Sequence, residues 1–323
     1  MTQAVLLVPS TEAALARVAG LPLVRRNALA LLSAGHGSVH VASDDPRVRA
    51  AVAGLVGPRV EGAALEIPCD HVVLGDGALA PCRTPAERRA AERRLFAALR
   101  KPVDGPVSRL LNRTLSLAVT RLVLDTGITP NQMTLVATAI GVAGVAAVLS
   151  ATWTGVAIGA VLVQLQSILD GCDGEIARLK FQSSPFGAWL DNVLDDLVNA
   201  AFGLALGLAS AELLGQPVWR WLGIFGAAAF ACYDAVVYAQ LARVHRTGNP
   251  FAFRWWFQTT VDPSAGGRVA GALRALARRD VFLLGFMILA LARLPQVAVV
   301  WYAILGAAYL GLSVAHVVHK VTS

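Results

Sequence analysis

The sequence predicts an α-helical integral membrane protein: six transmembrane helices, preceded by an interfacial amphipathic helix and a small N-terminal α/β domain. Three observations carry this. Hydrophobic residues make up 56% of the 323 positions and charged residues 15%, with a mean hydropathy of +0.59. No single soluble core hides that share of apolar side chains, so lipid is the solvent for part of the chain. Apolar runs of span length recur from residue 133 onward, with charge confined between them. The first eighty or so residues instead alternate short apolar strands with helices.

The N-terminal elements are read in order. Ala4 to Val8 is a strand, Leu23 to Ala34 a helix ended by Gly35, and Ser38 to Ala42 a second strand. A helix follows near Pro46 to Leu55, then a third strand at His71 to Leu74, closed by Gly75-Asp76-Gly77. Strand–helix alternation predicts a small parallel sheet. The domain boundaries expected are 1–82 for this α/β unit, 83–106 for a charged linker and 107–323 for the membrane domain. The linker holds Glu87, Arg88, Arg89, Glu92, Arg93 and Arg94, a solvated helix broken at Pro102 to Pro106.

Val107, Leu110, Leu111, Leu115, Ala118, Val119 and Leu122 then fall at helical spacing, with Arg109, Arg113 and Thr120 on the other side. An amphipathic helix with a basic face suits the membrane interface; the alternative is an ordinary core-facing helix. Thr129-Pro130-Asn131-Gln132 is a helix start, combining a cap, a proline at the first helical position and a capping-box glutamine. The spans expected are Met133 to Ala151, Thr154 to Leu169, Gly187 to Ala211, Val218 to Leu241, Val281 to Leu294 and Val297 to Val318. The second and fifth are short against the roughly 20 residues a span needs.

Charge orients these spans. The chain carries 28 Lys+Arg against 21 Asp+Glu, a net +7. Arg178 and Lys180 follow the second span; Arg243, Arg246, Arg254, Arg268, Arg274, Arg278 and Arg279 follow the fourth. The opposite loops hold only Arg220 and Arg293. The positive-inside rule therefore puts both termini in the cytoplasm of a multi-pass protein of the cell (inner) membrane, and explains the basicity without nucleic acid. Trp219, Trp221, Trp255 and Trp256 suit interfacial anchoring. Met1 to Ser10 lacks signal-peptide features, so the first hundred residues are expected in the cytoplasm. The four cysteines, Cys69, Cys82, Cys172 and Cys232, have neither zinc nor disulfide-framework spacing.

The chemistry-bearing stretch is Asp170-Gly171-Cys172-Asp173-Gly174-Glu175-Ile176-Ala177-Arg178, followed after eight residues by Gly187, Asp191 and Asp195. Asp170, Asp173 and Ala177 share one helical face, as do Gly187, Asp191 and Asp195. A tight connection at Ser183-Ser184-Pro185 would face the two groups together. Converging carboxylates at a membrane edge repel one another and require cations. All-oxygen donors favour hard ions such as Mg²⁺, Mn²⁺ or Ca²⁺. Two such ions can neutralise a pyrophosphate, and a neighbouring carboxylate can take a proton from an attacking hydroxyl. Gly174, Ala177 and Gly187 lack bulk where a nucleotide would approach, and Arg178 offers a planar fork to phosphate. Membrane aspartates can also line an ion path in a transporter, or persist in a binding scaffold. The specific Gly, Ala and Arg positions and the membrane-edge location favour the enzyme.

Asp-x2-Asp-Gly-x2-Ala-Arg-x8-Gly-x3-Asp-x3-Asp resembles the signature of the CDP-alcohol phosphotransferases (CDP-alcohol phosphatidyltransferases), with every fixed position filled. The resemblance runs from about Thr129 to the C-terminus. It implies a membrane-embedded homodimer with a cytoplasm-facing active site, releasing CMP as the substituted phosphate of a CDP-linked donor (CDP-diacylglycerol or a soluble CDP-alcohol) passes to an alcohol acceptor. It further implies two divalent ions, Mg²⁺ or Mn²⁺, with Asp170, Asp173 and Asp191 as ligands and Asp195 as a ligand or the catalytic base. Gly174, Ala177, Arg178 and Gly187 would shape the CDP site. Asp196 lies outside the pattern and receives no role.

Arg100-Lys101-Pro102-Val103-Asp104-Gly105 and Arg278-Arg279-Asp280 look like segments of the members fused to a cytidylyltransferase domain, among them inositol phosphodiester synthases. Leu21-Pro22-Leu23-Val24-Arg25-Arg26 resembles part of a nucleotidyltransferase, but no glycine-rich loop follows Val8. The N-terminal domain is therefore expected to be cytidylyltransferase-like, degenerate and non-catalytic, serving binding or dimer stability. Inositol or inositol phosphate is the acceptor this resemblance suggests. Asn131 could touch the nucleotide or serve the helix start alone. Arg243, Arg246, Arg278 and Arg279 could hold an acceptor phosphate or express topology alone.

Overall fold

The computed structural model describes residues 3–57, 64–100, 104–245 and 276–322. Expectations for Lys101, Pro102, Val103, Arg246, Arg254, Trp255, Trp256, Arg268 and Arg274 lie outside the described residues. Two compact units emerge: Met1–Val103 with Leu117–Thr129 and Gly174–Gln182, and Asp104–Ser116 with Pro130–Asp173 and Ser183–Ser323.

In the first unit, β1 (Gln3–Leu7), α1 (Thr11–Leu15), the paired strands β2 (Arg17–Val18) and β3 (Leu21–Pro22), and α2 (Leu23–Ser33) precede β4 (Ser38–Ala42) and α3 (Pro46–Ala51). Then come β5 (Ala64–Pro68), β6 (His71–Val73), β7 (Leu79–Pro81) and α4 (Pro85–Ala97). The sheet is parallel, in the order β4-β1-β5, with Leu6 opposite Val41 and Ile67. β1 is central and buries Ala4, Val5 and Leu6 in succession, as a parallel strand covered on both faces does. Its third strand is Ala64–Pro68; the predicted strand near His71 pairs antiparallel with β7 instead. Ala-Leu-Glu-Ile-Pro hides its strand character because β5 is an edge, where Leu65 is exposed and a terminal Pro68 is tolerated. The charged helix α4 starts in a capping box of Thr84 and Glu87 and buries Ala91 and Phe96.

A seam of Ala19, Phe96, Leu99, Leu117, Leu124 and Leu179 closes this unit. Beside it Arg26, 2% exposed, donates to the carbonyls of Val18 (2.8 Å), Ala19 (2.7 Å) and Leu179 (2.6 Å). Burial lowers its pKa to about 10, with the Glu92 carboxylate and the Cys82 thiol acting in the opposite sense, so the guanidinium stays charged at neutral pH. Lys180 donates to the carbonyls of Thr126 (3.1 Å) and Ile128 (3.2 Å).

The helices that follow are α5 (Arg113–Val123), α6 (Pro130–Leu149), α7 (Trp153–Leu179), α8 (Pro185–Leu214), α9 (Val218–Gln240), α10 (Arg279–Leu291) and α11 (Pro295–Thr322). Among the described residues, five helices are long and apolar enough to cross a membrane, namely α6, α7, α8, α9 and α11. The span expected at Val281 to Leu294 is the 13-residue α10, shorter than a bilayer crossing.

α5 follows a π-helical turn at Ser108–Asn112. Leu110, Leu111, Leu115 and Leu122 face outward, whereas Asn112, Ser116 and Thr120 are buried. That inverted amphipathicity is the pattern of a helix at a lipid interface, not of a helix on an aqueous core. α9 packs against both α8 and α11. At the α8–α9 crossing, a Cβ on Gly207 would stand 2.7 Å from the Cα of Gly223, so only paired glycines allow the backbones to meet. Phe202, Phe286 and Tyr302 fill the centre of the membrane unit.

Candidate active site

α7 and α8 are antiparallel neighbours in sequence, joined by a five-residue turn. Phe181 takes a left-handed φ of 56° there, and Ser184 caps α8 by accepting from the Gly187 N–H at 3.0 Å. Pro185 occupies the first helical position, pre-set for it. The turn brings the last membrane-unit turn of α7 beside the first turns of α8. One carboxylate oxygen each from Asp170, Asp191 and Asp195 lies within 4.8 Å of the others. Asp173 is outside that triple; the residue is buried, and its carboxylate accepts from Thr134 Oγ1 at 2.5 Å.

The triple is partly compensated by neighbours. Gln166 Nε2 donates to Asp195 Oδ1 at 2.5 Å. Arg279, from the first turn of α10, donates to Asp170 Oδ2 at 2.6 Å and to Asp195 Oδ2. Asp191 Oδ1 is buried without a hydrogen-bond partner among the described residues. A buried carboxylate oxygen left unpaired is costly, and the Arg279 guanidinium pairs with only two of the three carboxylates, Asp170 and Asp195. The all-oxygen donor set and the orphaned Asp191 oxygen therefore fit a hard divalent cation.

The other motif positions lie as follows. Gly174, Ala177 and Arg178 continue α7 in the first unit. A Cβ on Gly174 would come 3.2 Å from Arg178 Nη1, so the bare backbone lets the guanidinium lie alongside. Between them Glu175 is fully buried and accepts from Thr120 Oγ1 at 2.6 Å. Gly187 belongs to the membrane unit, and a Cβ there would meet Asn131 Oδ1 at 2.9 Å. Local packing thus supplies a reason for that glycine besides nucleotide approach. Asp196 accepts a hydrogen bond from the Tyr238 hydroxyl.

Sequence reasoning missed Gln166 and Thr134. Gln166 had a signal, since it is a polar residue one turn before Asp170 in an apolar span. Arg279, which the sequence offers as an acceptor-phosphate or topology residue, pairs with two of the motif aspartates. Asp280 ties the two segments singled out for the subgroup resemblance: its Oδ2 accepts from the Ser108 N–H at 2.8 Å, and a Cβ on Gly105 would lie 2.2 Å from that oxygen.

Residues 127–309 match the family model for CDP-alcohol phosphatidyltransferase. The chain is 36% identical over 142 residues to a bifunctional IPC transferase and DIPP synthase of Thermococcus kodakarensis, covering 44% of this chain and 31% of that protein. It is 37% identical over 158 residues to the protein of the same name from Rubrobacter xylanophilus, covering 44% and 36%. It is also 34% identical over 92 residues to a CDP-diacylglycerol–serine O-phosphatidyltransferase of Helicobacter pylori, covering 28% and 37%. The chain thus spans about a third of the length of the curated relatives it matches.

Proposed function

Because the chain belongs to the CDP-alcohol phosphatidyltransferase family, we propose that it transfers the substituted phosphate of one CDP-linked donor to one alcohol and releases CMP. The observation that carries this reading is the meeting of Asp170, Asp191 and Asp195 within 4.8 Å, with one buried Asp191 oxygen lacking a partner among the described residues. In this reading Asp170, Asp173, Asp191 and Asp195 hold two divalent ions, Mg²⁺ or Mn²⁺. Bound there, the ions would neutralise the donor pyrophosphate and the charge that develops as CMP leaves. Asp195 accepts the acceptor's hydroxyl proton, directly or through water. The freed oxygen forms a bond to the phosphorus bearing the transferred group, and the bond from that phosphorus to the CMP oxygen breaks. Gln166 and Arg279 orient Asp195 through its two oxygens. Gly174, Ala177, Arg178 and Gly187 cradle the CDP moiety.

The donor is CDP-diacylglycerol or a soluble CDP-alcohol, and the acceptor an inositol-type polyol. The acceptor reading is supported by the segments around Gly105 and Asp280 and by relatives named IPC transferase and DIPP synthase. The protein works as a homodimer, as the family resemblance implies, in the cell membrane; its site and termini lie in the cytoplasm, as the arginine distribution predicts. The α/β domain does not make the donor.

The test is CMP release by purified protein in detergent with Mn²⁺ or Mg²⁺. CDP-diacylglycerol and soluble CDP-alcohols are offered against inositol, inositol phosphate, glycerol phosphate and serine. Metal-dependent release with one pair, lost by at least about a hundredfold in Asp195→Asn, is the expected result. Full metal-dependent activity in Asp195→Asn would remove the base assignment, and no release with any pair would remove the reaction.

A further inference from the structure

Two guanidiniums of this protein are held by polar partners in different ways. Arg26 is buried and spends its donors on the carbonyls of Val18, Ala19 and Leu179. The Arg279 side chain is 34% exposed, and its ion pairs among the described residues are with Asp170 and Asp195. Nη2 donates to Asp170 Oδ2 at 2.6 Å, and Nη1 donates to Asp195 Oδ2. The guanidinium thus bridges two of the three carboxylates whose oxygens gather within 4.8 Å. The root of that side chain is fixed. Asp280, the next residue, accepts from the Ser108 N–H at 2.8 Å and pairs with Arg278 at 3.4 Å. The backbone is therefore held beside the cluster, while the long side chain has rotamer freedom and open space on one side.

A divalent ion ligated by Asp170 and Asp195 draws on the same carboxylates that the guanidinium bridges. The other oxygen of Asp195 is already engaged, since Gln166 Nε2 donates to Oδ1 at 2.5 Å. Two cations on neighbouring oxygens also repel each other strongly where the dielectric is low. The cluster therefore has two competing ways of being neutralised. They are unequal in reach. The Asp191 Oδ1 atom is buried without a hydrogen-bond partner among the described residues, so the guanidinium leaves that oxygen unserved. An ion with several coordination positions can take all three carboxylates, whereas this planar fork takes two. Linkage makes the effect reciprocal: a metal that loosens Arg279 by some factor is itself weakened by Arg279 by that factor. Resting on the metal-dependent transfer proposed above, we propose that Arg279 is a displaceable counter-ion of the cluster, competing with the divalent metal for Asp170 and Asp195 and released from them as the metal binds. Arg279 orients Asp195 until the metal takes over that task, and Gln166 keeps its hold throughout.

The experiment measures Mn²⁺ affinity of the purified protein in detergent, from the free-ion signal in electron paramagnetic resonance. Asp191→Asn identifies the binding that belongs to this site, because it removes a carboxylate outside the Arg279 pairs. A guanidinium that occupies the carboxylates about nine-tenths of the time raises the apparent Kd of the metal about tenfold. Arg279→Gln is therefore expected to bind Mn²⁺ about tenfold more tightly than the parent. Phenylglyoxal, which modifies accessible guanidiniums, reads release in the parent chain, with no substitution to disturb folding. Arg279 should react at least about fivefold faster with Mn²⁺ than with EDTA, measured by mass mapping against Arg220, which pairs with Glu212. A guanidinium that stayed in place would also repel the metal, but its reactivity would not change. Unchanged or weaker Mn²⁺ binding in Arg279→Gln would overturn the inference, and so would equal phenylglyoxal reactivity in the two conditions. A parent chain that binds no Mn²⁺, or an Asp191→Asn variant that binds it undiminished, would instead remove the cation site on which the inference rests.

Discussion

At the scale of single residues, the motif aspartates were legible because their spacing is local: three or four residues along a helix fix a face. Their partners were not. Gln166 meets Asp195 across 29 positions, Thr134 meets Asp173 across 39 and Arg279 meets Asp195 across 84. No local period encodes such pairings. Gly187 separates two explanations that share one residue. A Cβ there strikes Asn131 Oδ1 at 2.9 Å, so Gly187→Ala should lower stability by about 1 kcal/mol, and adding Asn131→Ala should restore most of it. Thermal unfolding in detergent of the single and double variants reads this directly. A double variant as unstable as the single one would show that Asn131 is not the obstacle. Restored stability without restored CDP binding would add a nucleotide role to the packing role.

Cys69 offers a second test at this scale. It is fully buried, and burial pushes its thiol up to about 12, partly opposed by a hydrogen bond from Asn27. An ordinary thiol of pKa about 8.5 is mostly thiolate at pH 9.5. Cys69 should remain unlabelled by a water-soluble maleimide there and label fully once the chain is denatured. The sign for stability follows, because the unfolded chain loses this proton first as pH rises. Stability tied to Cys69 is present below about pH 8.5 and is lost progressively above it. Rapid native labelling of Cys69, followed by mass mapping, would contradict its placement in the core.

At the scale of elements, period and punctuation did most of the work. The long apolar helices, the Thr84 capping box and the Ser184-Pro185 start of α8 all carry local signatures. β5 carries none, because an edge strand with one exposed leucine, a glutamate and a proline looks like a loop. The sheet order, with β1 between β4 and β5, was equally hidden, since it depends on crossovers rather than on any one segment. The α8–α9 crossing gives the element-scale prediction. Gly207→Leu drives a side chain into the Gly223 backbone and should separate the two helices, lowering detergent stability by roughly 2 kcal/mol or more. A midpoint within error of the parent would show that the helices pack elsewhere.

At the scale of the whole molecule, composition alone indicated a membrane protein with a small α/β unit, because the two solvents demand different residue alphabets. The make-up of the first unit was not legible. Its closing seam draws on Ala19, Phe96, Leu117 and Leu179, four stretches far apart in sequence. Arg26 is the polar fastening of that seam. Arg26→Met keeps much of the volume but leaves three buried carbonyls without their donor, a loss of roughly 3 kcal/mol. Limited proteolysis of the full chain should then cut within residues 1–100 at least tenfold faster, while the membrane helices stay protected. An unchanged cleavage pattern would show that the apolar seam suffices alone.

The outward leucines of the helix around Arg113 have a practical corollary. Among the described residues, Leu110, Leu111 and Leu115 are exposed, whereas Asn112 and Ser116 are buried. Acyl chains are therefore the missing wall of that helix, and stripping them wets three leucines at once. Its N-terminal turn is the one whose Ser108 N–H rests on Asp280, next in the chain to Arg279. Harsh delipidation would thus loosen the ligature between the bilayer surface and the carboxylates of Asp170 and Asp195 before any spanning helix unfolds.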